Sequence, residues 1–413
     1  MDFPQTTQSK FQNASTLTRQ DLSVKEKLGS DFRQWQQVNR SRGQPSENSV
    51  TFKIMSYNVL AQDLLERHRN LYKDNAQSCL KWNFRFEKIY NEIKRHNCDI
   101  LCLQEVQQNH LDSYYRKYLS ELGYNTILYK KRTGDCPDGC AIFYNSNLFT
   151  LIESQTVEYF QPNVSVLNKD NIGLIAKFAP IGYEYCSFIV ATTHLLYNPN
   201  RHDIRLAQIQ LFLAEIDRVS FNVSHHVPVI ITGDFNSMYN YAPVRLLLTA
   251  KCPFDNVQKN GLLPYQLGVS DNCQHVRLVA ARRKKPYMSQ EMQRKYVHLH
   301  HGDYPQATDN LKENNSLFNT GYLTHNFAFK SIYDNPSAEA TTYQNRWLTV
   351  DYIFYSGRNA SKSPNKNHFK EDKLVLLSRY SLPVGSKLPS VTIPNENLGS
   401  DHLSLMAEFK LIL

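Results

Sequence analysis

Residues Ile230 to Met238 read IITGDFNSM: an apolar run, a glycine, then an Asp and an Asn two places apart with a Phe between them. In extended backbone, residues i and i+2 project to the same side, so Asp234 and Asn236 face one volume while Phe235 turns back into the packing. An acceptor and an amide placed together can hold and deprotonate a water. Gly233, Asp234, Asn236 and Ser237 are also turn formers, so this stretch alone is equally an ordinary end to a strand.

The same polar intrusion recurs wherever an apolar run stops. Asn58 follows IMSY, Glu105 follows ILCLQ, His194 follows IVATT, Asp351 precedes YIFY, and Asp401 and His402 precede LSLMAEF. Acid, amide and imidazole groups flanking separate apolar strands are costly to bury unless paired. Convergence at one edge of the sheets is the economical arrangement. No Ser–His or Cys–His nucleophile pair is evident among them. Oxygen-rich sites of this type suit Mg²⁺, with Mn²⁺ as a substitute, because such ions take one or two carboxylates and complete their shells with water and substrate phosphate. Hydrolysis of a phosphoester is the chemistry to expect.

Outward from these points, the chain alternates strands and helices, but strands also follow strands directly. Helical spacing marks 80–97, 110–122, APVRLLLTA and DIRLAQIQLFLAEIDRV, the last with Asp203 as its expected N-cap. This pattern predicts an α/β sandwich with mixed sheets rather than a purely parallel doubly wound fold. Residues 1–50 are rich in Gln, Ser, Thr and Asn and read as a flexible polar tail with a short helix at SDFRQWQQV. The ordered domain is expected over 51–413, interrupted by a basic, flexible insertion at about 252–315.

With 413 residues, 41% hydrophobic and 12% aromatic, the chain can build a large core. It has no apolar run of the roughly 18 residues a membrane helix needs, and MDFPQTTQSK lacks the features of a signal peptide. We expect no membrane association, a cytoplasmic or nuclear location, and a monomer; Arg282 to Lys285 form a basic cluster of nuclear-import type. The eight cysteines lie mostly in apolar stretches and lack the spacing of zinc sites. The net charge of +9 is concentrated between His275 and Tyr296, where seven Arg or Lys face one acid, Glu291. That segment is either a solvated run or a sequence-independent RNA contact.

In order and content, SYNVLAQ, LCLQEV, DGCAIFY, TTHLLYNP, GDFNS, VDYIFY and SDHLSL resemble the endonuclease/exonuclease/phosphatase superfamily. They are closest to its branch of carbon-catabolite-repression deadenylases, nocturnin and angel proteins, and ATTHLLYNPNRHDIRLAQ is most similar to the angel proteins. The resemblance implies a DNase I-like, four-layer sandwich of two mixed β-sheets flanked by helices, with the site at one rim. It implies Glu105 as principal metal ligand, Asn58 in or near its shell and Asp401, beside His402, as a carboxylate either on the metal side or one layer behind the ligands. Asp234, aided by Asn236, would orient or deprotonate the attacking water. His194 would contact phosphate oxygens, and His402, its ring held by Asp351, would contact the phosphoryl group or a metal-bound water. A neighbouring carboxylate favours the charged imidazole, a suitable donor to an anionic transition state.

The resemblance also implies RNA as partner and substrate, through its 3′ ends, including hydrolysis of 2′,3′-cyclic phosphates. A 3′-to-5′ exoribonuclease of deadenylase type could use the same groups, and a catalytically silent RNA-binding scaffold is the reading of another class. Deadenylases place Phe-Lys-Gly before their Asp-Tyr-Ile-Phe motif; here Arg346, Trp347 and Leu348 stand instead. Trp347 is a candidate to stack on a base. Lys130, Lys131 and Arg132 are candidates for a phosphate clamp.

Overall fold

Strand alternation accounts for the layers. Within 49–58, Phe52 and Ile54 belong to one apolar cluster and Met55 and Tyr57 to another; within 100–107, Ile100 and Cys102 join the first and Leu101 and Leu103 the second. Strands apolar on both faces must lie between two cores. The computed structural model describes residues 32–38, 48–253, 267–296, 321–333, 339–359, 369–388 and 392–413.

The first sheet starts with β1 (Trp35–Gln37), β2 (Ser49–Asn58), β3 (Ile100–Gln107), β4 (Thr126–Lys131) and β5 (Asp138–Tyr144). The second holds β6 (Phe149–Glu158), β7 (Ile172–Pro180), β8 (Phe188–His194), β9 (Val229–Asp234), β10 (Ala328–Ser331), β11 (Asp351–Asn359) and β12 (Phe369–Lys370). The chain then returns to the first sheet with β13 (Leu374–Tyr380) and β14 (Leu405–Ile412). The order is β1-β13-β14-β2-β3-β5-β4 in one sheet and β10-β11-β9-β8-β7-β6 in the other, with β12 beside β11. Only β2 with β3 and β8 with β9 pair in parallel; the other pairs of these two sheets are antiparallel.

Phe52, Phe188, Ile230, Ile353 and Phe409 fill the space between the sheets. After the short α1 (Gln62–Arg67), α2 (Trp82–His96) and a helical stretch over 108–120 cover the outer face of the first sheet through Phe86, Ile89, Tyr115 and Leu119. The outer face of the second is covered by α3 (His202–Ser220) and α4 (Ala242–Thr249), through Leu206, Ile209, Leu213 and Leu247. The result is helix, sheet, sheet, helix, the four-layer DNase I-like sandwich. No described helix is long and apolar enough to cross a membrane.

Three local expectations change. The expected helix at SDFRQWQQV is instead β1, an edge strand pairing Trp35 with Tyr380, with Arg33 buried against Ser381 O and Ser404. Pairing to a strand some 340 residues away overrides local helical spacing. Residues 32–38 thus belong to the body rather than to a tail, and 1–31 and 39–47 lie outside the described residues. Within the expected insertion, 267–296 is not a loop: it forms α5 (Val276–Lys284) and α6 (Gln290–Tyr296), which pack on α3. Residues 254–266 and 297–315 lie outside the described residues. Asp203 does not cap α3; Arg201 holds the cap position, and Asp203 sits in the first turn, paired with Arg201 at 2.9 and 2.8 Å.

Candidate active site

Each sheet delivers polar groups to one rim by the same device. β2 and β3 run side by side to Asn58 and Gln104, with Glu105 next; β8 and β9 run side by side to His194 and Asp234. β11 begins there, with Asp351 opposite Asp234, and Asp401 and His402 lead into β14. The ends of parallel strands and the starts of their antiparallel neighbours thus collect the acids, amides and imidazoles.

Gly233 makes this approach possible. Its φ is +139°, and a Cβ there would lie 2.0 Å from Thr193 O. Gly233→Ala is expected to cost about 2 kcal/mol or more of stability, because the alanine must move β8 away from β9. A lower urea midpoint, with activity lost in parallel, is the measured outcome.

One amide joins the two sheets across the site. Asn58 Nδ2 donates to Glu105 Oε1 at 2.9 Å and to Asp234 Oδ2 at 3.1 Å, and Asn58 Oδ1 accepts the Leu60 N–H at 3.0 Å. The amide oxygen thus accepts one hydrogen bond from its own loop and keeps its second lone pair, while the Asn58 NH₂ bridges the two carboxylates. Glu105 has φ +59°, where the β3–β5 pairing slips between Leu103 and Val106. Such a bulge re-aims a side chain, here toward the rim. Burial and the nearby Asp401 and Asp138 push the Glu105 carboxyl from 4.5 up to about 7, against hydrogen bonds from Asn58 and Ala61.

The imidazoles differ in charge. His402 Nδ1 lies 2.9 Å from Asp351 Oδ2, and its Nε2 lies 3.7 Å from Asp234 Oδ2. Burial opposes the charge on His402, but Asp351, Asp401 and Asp234 together hold it well above the usual histidine range. His194 is driven below that range by burial, against the pull of Asp234. Its Nε2 meets Asn236 Nδ2 at 3.1 Å, and that amide also donates to Leu195 O at 3.0 Å, so the network assigns the His194 proton to Nδ1. That Nδ1 is buried, 3.9 Å from Glu105 Oε1, and has no hydrogen-bond partner among the described residues. A charged ring and a neutral ring each hold one N–H free for a ligand. Burial and the charge of Asp351 also raise Asp234, whose Oδ1 accepts the Asn236 N–H at 2.9 Å.

Other expected residues lie around this cluster. Asp401 Oδ2 accepts the Tyr72 hydroxyl at 2.8 Å. Arg132 is held by the buried Asp138, whose charge reaches both Glu105 and His194. Lys131 donates its ammonium to Gly134 O and Cys136 O and closes the β4–β5 connection. Lys130 pairs with Glu158. Trp347 lines an open cleft of about 700 Å³ with Met238, Tyr239, Arg346 and Thr349, next to the site in sequence on both sides.

Sequence reasoning missed Tyr72, Asp138 and Arg85. Arg85, buried on α2, donates to Val59 O at 3.2 Å, Leu60 O at 2.8 Å and Gly399 O at 3.0 Å, tying the loop after Asn58 to the loop before Asp401. Its signal was an arginine on the apolar stripe of FRFEKI. Asp138 opens DGCAIFY just as Asp351 opens DYIFY, the same signal left unread.

A small, hard divalent cation fits here. Burial first, and then the charges of Asp401 and Asp138, raise Glu105 to about 7, and a bound cation would offset both. Asp234, Asp351 and His402 also bring ligand atoms within 4.8 Å of one another. There His402 Nδ1 is paired with Asp351 Oδ2 at 2.9 Å, and the surrounding carboxylates favour its charged form, which has no lone pair for a metal. Glu105 must lose its proton to bind a cation. Calorimetry is expected to show nearly one proton released per cation at about pH 6 and almost none at about pH 8.

Residues 55–402 match the Endonuclease/Exonuclease/phosphatase family. Protein angel homolog 2 of Homo sapiens is 37% identical over 401 residues, covering 89% of this chain and 71% of the human protein. Protein angel of Drosophila melanogaster is 32% identical, covering 98% of this chain and 94% of the fly protein. The crystal structure of ANGEL2, a 2′,3′-cyclic phosphatase, in complex with adenosine-2′,3′-vanadate matches with TM-score 0.70 and 34% identity, over 92% of this chain and 99% of that one. The human Nocturnin catalytic domain, at TM-score 0.53 and 20% identity over 92% and 97% of the two chains, shares the fold. On a span that runs through every strand end from Asn58 to His402, the chain belongs to the endonuclease/exonuclease/phosphatase family and is a homologue of its angel proteins.

Proposed function

We propose that the protein is a Mg²⁺-dependent phosphoesterase that acts at RNA 3′ ends and hydrolyses terminal 2′,3′-cyclic phosphates. The observation that carries the reading is the meeting of Asn58, Glu105, His194, Asp234, Asp351 and His402 at one rim, with no serine, threonine or cysteine nucleophile among them and with the acids and imidazoles already held by one another. Water is then the attacking group. Similarity to a 2′,3′-cyclic phosphatase over nearly the whole chain supports the choice of ester.

Glu105, with Asp401 close by, would hold a divalent ion, which would supply positive charge against the phosphoryl oxygens. Asp234, fixed by Asn58 and by the Asn236 N–H, accepts the proton of the attacking water; its raised basicity suits that role. His402, oriented by Asp351, donates from Nε2 to a phosphoryl oxygen that gains negative charge. His194 donates from Nδ1 to a second oxygen, and Asn236 keeps that proton in place. The cleft beside Trp347 receives the base of the terminal nucleotide, and Arg132 meets a backbone phosphate.

The test uses purified protein, Mg²⁺ and labelled RNAs ending in hydroxyl, 3′-phosphate or 2′,3′-cyclic phosphate. Loss of the cyclic end with chain length unchanged is the expected result. Progressive shortening would instead identify an exoribonuclease, and binding without turnover a silent scaffold.

A further inference from the structure

Residues 267–296 carry charge that the catalytic rim does not use. Leu278, Ala281 and Met288 pack together between α5 and α6. A buried polar network then docks the pair on the last turns of α3. His275 Nε2 lies 2.7 Å from Glu215 Oε1, Arg282 Nη1 donates to Asp217 Oδ2 at 2.8 Å, and Gln274 Nε2 donates to Asp217 Oδ1 at 2.6 Å. Gln293 fixes α6 to Phe221 O at 2.9 Å.

The docking point has a definite place. α3 begins near the rim, where Arg205 donates to Leu196 O, two residues past His194. It runs back to Ser220, whose carbonyl accepts the Val227 N–H just before β9 starts. β9 then climbs from Val229 to Asp234, about 17 Å at the usual strand rise. α5 and α6 therefore sit at the opposite end of the second sheet from the catalytic groups.

From this distant face Arg277, Arg283, Lys284, Lys285 and Lys295 stand exposed, without ion-pair partners among the described residues. Tyr287, 73% exposed, and Tyr296 are interleaved with them, and Glu291 is the single acid between His275 and Tyr296. Unpaired cations on a docked scaffold match a polyphosphate backbone, and exposed rings accept bases of any identity. An acidic peptide would use the cations but leave the rings without a partner.

We propose that the α5–α6 face anchors the upstream part of a single-stranded RNA whose 3′ end lies in the catalytic rim, an inference that rests on the 3′-end reading above. Short substrates do not reach it; long ones gain affinity without a change in chemistry.

The test replaces Arg277, Arg283, Lys284 and Lys285 together by Gln in the full chain. Adenosine 2′,3′-cyclic phosphate is compared with a single-stranded RNA of about 20 nucleotides ending in 2′,3′-cyclic phosphate. KM for the long RNA is expected to rise roughly tenfold or more at about 0.1 M salt, with a shallower salt dependence, while kcat and the mononucleotide constants stay unchanged. Unchanged KM for the long RNA overturns the anchor, as does a rise shared by the mononucleotide. Anisotropy with the same RNA ending in a 3′-hydroxyl, in a Glu105→Gln background, reads the face without turnover. Weaker binding by the quadruple variant there supports the anchor even if neither substrate is hydrolysed, so the two readings fail separately. Binding of polyglutamate with no binding of RNA would assign the face to an acidic protein and overturn the proposal.

Discussion

Glu105→Gln is expected to lower kcat by at least about 10³-fold while leaving the protein folded and more stable at alkaline pH. The loss follows from removing the carboxylate that faces His194 and lies nearest the crowd of Asp401 and Asp138. The gain follows from linkage. In the unfolded chain the carboxyl titrates at 4.5, and in the fold at about 7. The folded state therefore binds the extra proton between those values, and its stability falls as pH rises through that window. Glutamine removes the charge and keeps one acceptor oxygen, giving up one of the two hydrogen bonds that Asn58 and Ala61 donate to the carboxylate. The variant should be more stable by roughly 1–3 kcal/mol at about pH 8, and no more stable at about pH 4. Urea unfolding at the two pH values measures this, and near-normal activity of the variant in Mg²⁺ buffer would remove Glu105 from the site.

Asp351→Asn is expected to lower kcat by about 10³- to 10⁴-fold with little change in KM, since the residue acts through His402 rather than on substrate. Asp351 is the largest of the charges that keep His402 protonated. With an amide in its place the ring loses that partner and its fixed tautomer, and its titration falls back toward 6.5. Activity should be retained better at low pH and lost as pH rises, with this limb displaced to lower pH than in the parent enzyme. The pH profile of kcat checks the direction. An unaltered profile would mean that Asp351 only packs the strand end.

The body of the fold and the groups at its rim were legible because each was written locally. Apolar runs marked β2, β3, β8, β9, β11 and β14, and the polar residue at the end of each marked where burial stops paying for itself without a partner. What escaped was set by distant pieces of chain. β1 exists because the edge of β13 is open to pairing, and nothing within SDFRQWQQV records that. α5 and α6 dock through Glu215, Asp217, His275 and Arg282 instead of an apolar stripe, so their periodicity was weak. The turn of the Asn58 amide toward Leu60, and of Lys131 toward its own loop, are rotamer choices that spacing does not encode. Arg85 was visible as a charge on an apolar face, but its purpose appears only once Val59 and Gly399 are neighbours.

The two sheets repeat one another in direction: β13-β14-β2-β3-β5-β4 and β10-β11-β9-β8-β7-β6 each place one parallel pair at the same position among antiparallel strands. Asn58 thereby corresponds to Asp234, Glu105 to His194, and His402 to Asp351, so the rim is built from two jaws of matching design. Their separation is set by the aromatic filling between them, Phe52, Phe188 and Phe409 above all. Closely packed interiors transmit a methylene's worth of change, and reacting groups misplaced by about 1 Å lose much of their effect. The grip of the jaws is thus calibrated by residues that never meet the substrate.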